Sequence, residues 1–312
     1  MDIFVVTFEA VAALLFIGIV GFYVISRKVL PENAITILAA LTIDIALPSL
    51  VFVNIVTQFD PAAMQDWWLF PVYFIIYMSF GLLLARFLTI VLSAKHKNEF
   101  TASVFYQNAV FFPIAIIGSW HCSQDQLLVK LFFFTLLFAP FYFTTAPMFF
   151  SKSGKISKSK VFNPVLIVTI LAMGFVFSGI DKFVPDFVIS SLLLLGKMAA
   201  PLLMLIFGGS IYLDYKNKGK LEIVEVVKFV LARNFIFPAI MVLVLFLLRP
   251  NYELAFLLIL QASVPPITSL PVIAKQHGGN TKIINQFMIA SFIVSLFTIP
   301  LYLMIFEKMY AA

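Results

Sequence analysis

The sequence is poor in charge, in cysteine and in histidine, and each shortage excludes a class of protein. Only 12% of its 312 residues are Asp, Glu, Lys or Arg, about half the share of roughly 25% found in soluble domains. With 62% hydrophobic residues and 37 phenylalanines, the chain has too little polar surface to be wetted all round. That excludes a soluble globular domain, a disordered chain and a nucleic-acid binder. The single cysteine, Cys122, excludes an intrachain disulfide and a thiolate metal cluster. The three histidines, His96, His121 and His277, fall between apolar runs without metal-ligand spacing. The sequence contains no glycine-rich phosphate loop and no nucleophile elbow, so neither an enzyme nor a bound cofactor or metal is expected.

Long apolar runs are what the chain has in abundance, and its mean hydropathy is +1.06. A helix that crosses about 30 Å of hydrocarbon needs roughly 20 apolar residues. Ten stretches qualify: 3–26, 34–56, 67–93, 100–118, 127–150, 163–180, 186–213, 222–248, 253–274 and 283–306. Each is continuously apolar, where barrel strands would alternate, so an all-α membrane protein of ten transmembrane helices is expected. The first run has no basic residues ahead of it and is followed by Arg27-Lys28, so it reads as a span and not as a signal peptide.

The sparse charges are one-sided. The loops after the odd spans hold thirteen basic residues: Arg27, Lys28, Lys95, Lys97, Lys152, Lys155, Lys158, Lys160, Lys216, Lys218, Lys220, Lys275 and Lys282. Those after the even spans hold only Lys182 and Arg249. Basic residues accumulate in cytoplasmic loops, so both termini are expected outside a cell membrane. The net charge of +6 is then mainly a record of topology. The stretch Ser151–Lys160 (SKSGKISKSK) reads as a solvated cytoplasmic linker, dividing the chain into 1–150, a linker at 151–162, and 163–312.

A shift of 153 residues brings related stretches together. Asp44-x-x-x-Pro48 meets Lys197-x-x-x-Pro201, Asn108–Pro113 (NAVFFP) meets Gln261–Pro266 (QASVPP), and Thr145 and Pro147 meet Thr298 and Pro300. These pairs join spans two and seven, four and nine, five and ten. Five spans is an odd number, so the second half enters the membrane from the opposite side, the construction of many secondary transporters.

Proline removes a backbone N–H and frees a carbonyl, and in lipid both effects need compensation. Span nine carries Pro265, Pro266 and Pro271 with Ser263, Thr268 and Ser269 near its middle, so no regular helix is expected through that run. Its mate in span four carries Gln107, Asn108 and Pro113. If both helices break there, the second halves begin near the bilayer centre and direct free N–H groups and positive dipole ends at one space, which favours an anion such as a carboxylate. Asn108, Gln107, Gln261, Ser263, Thr268 and Ser269 supply neutral hydrogen bonds, and Pro48 and Pro201 are expected to bend spans two and seven around the same centre.

Asp44 and Lys197 lie about ten residues into their spans, where an ionisable side chain is costly and marks function by default. Two readings stand for them. They are a structural ion pair or separately hydrogen-bonded groups, or Asp44 couples transport to a proton or sodium ion while Lys197 attracts the anion. Arg233 is also deep, in span eight, whereas Arg86 and Glu9 sit near span ends, where a charge reaches the interface.

The stretches IALPSLVFVNIV, QNAVFFPIAIIG, KMAAPLLMLIFGGSIYL, SVPPITSLPVIAKQHGG and SFIVSLFTIPLY resemble, in order and spacing, the auxin efflux carrier family, which includes plant PIN-type carriers and bacterial malonate-type permeases. The resemblance covers nearly the whole chain. It lacks the long central loop of many plant carriers, which points to the short prokaryotic-like type. The resemblance implies two inverted five-helix repeats with crossing, broken helices four and nine, and elevator-type or rocking transport of organic anions by a homodimer. Carried over by motif, the substrate residues are Asn108 and the Pro113 region, Pro265-Pro266 and their neighbours, and Val51. The chain departs from the family in span four, which reads FFPIA with Ala115 where a glycine-rich turn and a second proline are common. A sodium/proton antiporter or bile-acid-type symporter is the nearest alternative, although the crossing segments here hold no carboxylate. A membrane receptor or channel that binds without transporting is another.

Overall fold

The computed structural model describes residues 3–119, 125–151, 164–216 and 221–311. The linker expected at 151–162 falls, apart from Ser151, outside the described residues, as do His121, Cys122, Lys218 and Lys220.

Helix dominates. In chain order the helices are α1 (Ile3–Ser26), α2 (Ala34–Leu41), α3 (Leu47–Gln58), α4 (Leu69–Val91), α5 (Lys97–Phe105), α6 (Phe111–Ser119), α7 (Asp125–Thr135) and α8 (Phe138–Phe150). They continue with α9 (Pro164–Ser178), α10 (Asp186–Lys197), α11 (Ala199–Lys216), α12 (Ile223–Val230), α13 (Phe237–Leu248), α14 (Tyr252–Ser263), α15 (Leu270–His277) and α16 (Thr281–Ala311). Among the described residues six helical runs are long and apolar enough to cross a membrane: Phe4–Ser26, Ala34–Gln58, Leu69–Val91, Asp186–Leu213, Ile223–Leu248 and Thr281–Tyr310. Two shorter apolar helices are Pro164–Ser178 and Tyr252–Ser263. Their outward faces carry exposed Phe16, Ile19, Leu83, Ile90, Phe187 and Leu247, a continuous apolar surface that water would not tolerate. The chain is a multi-pass helical membrane protein.

Prolines shape the long helices in a common way. Pro48 and Pro238 have no N–H to return to the carbonyl four residues back, and ahead of each the helix widens into a π turn, Thr42–Ala46 and Leu231–Ile236. The Leu47 N–H bonds the Thr42 carbonyl, and the Phe237 N–H bonds that of Ala232, both five residues back. Ahead of Pro201 the helix is interrupted at Met198, between α10 and α11. Spans two and seven thus lose regular helical geometry just ahead of their prolines.

The packing brings those bends together. α2 lies along α11 and α3 along α10, so the two bent helices run antiparallel, with Gly196 seated on the Leu50 backbone. The most extensive pairing is α1 on α11. It is close because a Cβ on Gly21 or Gly208 would collide with the backbone of Leu205 or Gly18, the small-residue contact that replaces the hydrophobic effect inside lipid. Aromatic rings anchor α5: Phe100 meets the rings of Phe229 and Phe287, each at 5.8 Å, from α12 and α16.

Candidate functional site

Two helices stop in the protein interior and restart. α5 ends at Phe105 and α6 begins at Phe111; α14 ends at Ser263 and α15 begins at Leu270. The second break follows from its prolines. A residue before proline is driven out of the helical region, and Val264 is extended, with φ −72° and ψ 151°. The first break has no proline within it. Tyr106 turns extended at φ −88° and ψ 98°, and what it gains is pairing with the other break. The Asn108 N–H donates to the Pro265 carbonyl at 2.8 Å, and the Ile267 N–H to the Tyr106 carbonyl at 2.9 Å. Gln107 thus lies opposite Pro266 in an antiparallel bridge.

Pro113 marks no break. It is the third residue of α6, in the first turn, where a missing N–H costs nothing. Pro271 takes the second position of α15 in the same way. The helices that enter the breaks end 158 residues apart, at Phe105 and Ser263, so the shift of 153 that aligns the bends of spans two and seven is five residues short here. Pro113 corresponds to Pro271, while Pro266 corresponds to Asn108.

Buried amides surround the bridge. The Gln107 amide donates to Gln261 Oε1 at 3.3 Å and lies 3.7 Å from the sulfur of Met78. Gln261 in turn donates to the Ala109 carbonyl at 2.7 Å. Asn108 Oδ1 accepts the Phe111 N–H at 3.3 Å, capping α6. Gln107 Oε1, Asn108 Nδ2 and Ser103 Oγ are buried with no hydrogen-bond partner, while the Tyr77 hydroxyl is buried against the Arg233 guanidinium. Such atoms are rare in a native interior and call for an explanation. The Ser263 hydroxyl turns back on the Ile259 carbonyl at 2.7 Å. Thr268 and Ser269 are half-buried, and Ser269 donates to the Tyr142 hydroxyl at 3.1 Å.

Behind the bridge sits Arg233, carried on the π turn of Leu231–Ile236 and 0% exposed. Its Nη1 donates to the Val104 carbonyl at 3.2 Å, its Nη2 to that of Gln261 at 3.1 Å, and its Nε to that of Val264 at 3.1 Å. The Phe237 ring centre lies 4.9 Å from the guanidinium. Next to Arg233, Asn234 exchanges hydrogen bonds with Ser291 and Ser295 of α16, which fixes this turn against its neighbour.

The family model described as membrane transport protein matches the chain over residues 6–160 and over residues 121–303. The chain belongs to the membrane transport protein family. This is the family of the auxin efflux carriers that the sequence motifs resemble, and it is a family of transporters, not of enzymes. A comparison with curated proteins finds no match. Within this transporter, the motif residues Asn108, Pro265 and Pro266 come together at the bridge with Gln107 and Gln261. Val51 lies on another element. It is buried on α3, which packs on α7, α9 and α10. Asp44 and Lys197 do not pair with each other as an ion pair. Both are exposed on the outer side of the bent helices, because the contact side at the bends is occupied by Gly196 and Leu50. Glu9 and Arg86 are also exposed.

A second polar cluster closes the loop ends of the same elements. Glu222 accepts from Lys95 Nζ at 2.9 Å and lies 3.0 Å from His96 Nε2, while Glu225 accepts the Lys95 N–H at 2.9 Å and pairs with Lys228 at 2.8 Å. Hydrogen bonding from Lys95, then from His96, holds the Glu222 carboxyl below its ordinary value of 4.5. Glu99, in the first turn of α5, accepts the Asn280 N–H at 2.9 Å. Neither these cross-ties nor the burial of Tyr77 and Ser103 is legible in the sequence, because polar residues on separate spans meet only after folding. Ser291 and Ser295, four residues apart in an apolar run, were the one available signal for the Asn234 contact.

Proposed function

We propose that this transporter is a secondary carrier for a small organic anion of the carboxylate class, working by alternating access. The observation that carries the reading is the antiparallel pairing of the two helix breaks at Gln107 and Pro266, with unpaired Asn108 Nδ2 and Gln107 Oε1 beside it. α6 and α15 start at these breaks, and helix N-termini favour anions. Asn108 Nδ2 is a donor for a carboxylate oxygen, and Gln107 Oε1 an acceptor for a hydroxyl or amino group on the same substrate.

In this reading the chain is ten spans in two inverted five-helix halves, 1–150 and 163–312, whose exchange of conformation opens the bridge to either side in turn. The basic loops lie in the cytoplasm and both termini outside the cell membrane. Asp44 is the group for coupling to a proton or sodium ion, and Lys197 attracts the anion. Exposed charges on apolar helices are costly against lipid, which favours a homodimer or a wet cavity covering the face that bears them.

Counterflow in liposomes is the test, across dicarboxylates, aromatic acids of the auxin type and amino acids, with imposed pH and sodium gradients. Exchange of a labelled carboxylate is the expected result. A sodium requirement with no anion flux would support the antiporter reading, and binding without flux a receptor.

A further inference from the structure

The C-terminal ends of α5 and α14 run into the same buried space. The last four carbonyls of a helix lack intrahelical partners and carry its negative dipole end. Two such ends, with the extended Val264 beside them, make a cluster of carbonyl oxygens without a nearby water phase. In carriers with discontinuous helices, half-helix C-termini and unwound carbonyls of this kind hold the coupling cation. Here the cluster already has a cation in it. Arg233 reaches in from a third helix and donates to Val104, Gln261 and Val264, one carbonyl from α5, one from α14 and one from the break. Among the described residues no carboxylate pairs with it, and its charge is met by carbonyls, the Tyr77 hydroxyl and the face of Phe237.

We propose that Arg233 is a tethered cation that permanently fills the carbonyl site at the crossing, so that sodium has no place there. The inference rests on the carrier reading and deepens it. A guanidinium keeps its proton at every physiological pH, so the site loads and unloads neither sodium nor a proton during a cycle. Any ion coupling then comes from elsewhere in the chain, and Arg233 is a positioning residue that holds the ends of α5 and α14 together without touching substrate. The fork of the guanidinium matters as well as its charge, because three carbonyls from different segments are held by one planar group.

The test uses the purified full chain in detergent and reads melting temperature, which does not depend on finding the substrate. Wild type is expected to melt at the same temperature in sodium, potassium and choline chloride at equal ionic strength. Arg233→Ala, which vacates the site, is expected to melt lower by about 5 °C or more. It should be raised selectively by guanidinium or sodium at about 10 mM, as binding to the native state alone requires. Arg233→Lys, which keeps a charge but loses the fork, should fall between the two and remain insensitive to sodium. Stabilisation of wild type by sodium overturns the proposal. So does an Arg233→Ala protein that no cation restores, since the arginine would then be packing alone. If Arg233→Ala does not fold, the proposal stands or falls on the wild-type and Arg233→Lys measurements. A chain that shows the expected melting pattern but no carboxylate flux would leave this inference standing and remove the carrier reading.

Discussion

Gln107 and Gln261 join the two broken helices through their side chains, the amide of one donating to the carbonyl of the other at 3.3 Å, both fully inside the protein. The bond is one link of a chain that continues to the Ala109 carbonyl. Removing Gln261 therefore leaves the Ala109 carbonyl without its side-chain donor and the Gln107 amide with only the Met78 sulfur. Gln261→Ala is expected to cost about 1–3 kcal/mol, the range for leaving buried polar groups unpaired, read as a lower melting temperature. Gln261→Glu, which retains the acceptor toward Gln107 but loses the donor toward Ala109, should recover part of that loss at most. A variant as stable as wild type would mean that the link contributes nothing.

Asn108 has two ends with different duties, and substitution can separate them. Oδ1 caps α6 and Nδ2 has no partner. Asn108→Asp keeps an acceptor for the Phe111 N–H while turning the free end into a second carboxylate oxygen. The protein should melt several degrees lower than wild type, because a buried carboxylate oxygen takes the place of the amide nitrogen while the cap is kept. Affinity for a carboxylate should fall by at least about tenfold, through repulsion and the lost donor. Unaltered affinity in a titration would take Asn108 out of the site.

Lys197 is exposed and pairs with no carboxylate among the described residues, so its removal has little to break. Lys197→Ala should leave the melting temperature within about 2 °C, as surface substitutions generally do, while weakening carboxylate binding. The same binding constant before and after the change would sink the anion-attracting role.

The α1–α11 contact depends on the absence of side chains. Gly208→Val places a branched side chain against the Gly18 backbone, and the helices must separate. Overpacking of this kind costs about 1–3 kcal/mol or more. The measurement is thermal unfolding, with Gly174→Ala, where a Cβ meets nothing within 4 Å, as the control that should change little.

Acid should loosen the loop-end cluster. The folded-state value of Glu222 lies below its unfolded value of 4.5. Its contribution to stability is therefore fully present above pH 4.5 and is lost as pH falls through the lower, folded value. Glu222→Gln is expected to flatten the dependence of melting temperature on pH below about 4.5 and to change nothing in its shape near neutrality. A variant as acid-sensitive as wild type would assign that limb of the curve to other carboxylates.

Much of this architecture was readable in one dimension because lipid is a strict solvent. Apolar runs of membrane length, the bends at Pro48 and Pro201, and the break through Pro265-Pro266 each follow from a local rule about backbone hydrogen bonds. The break at Tyr106 was harder to place. Pro113 drew attention to itself, yet it begins a helix instead of ending one, and the true interruption is held open by pairing with residues more than 150 positions away. The same limit applied to Arg233. Its depth in the span was visible in the sequence, but the three carbonyls that receive it come from α5, α14 and the second break, and no spacing rule connects them. Asp44 and Lys197 show the converse: their shared motif marked two irregular turns ahead of prolines and said nothing about which way the side chains face.

Prolines at 265 and 266 leave the crossing with very few exchangeable backbone protons. Among the described residues the backbone amides of Asn108 and Ile267 bridge the two segments, so the hydrogen–deuterium exchange of these two sites reports the parting of the segments directly. An isotope label at Asn108 or Ile267 would time any parting of the crossing in an intact membrane, whatever the substrate proves to be.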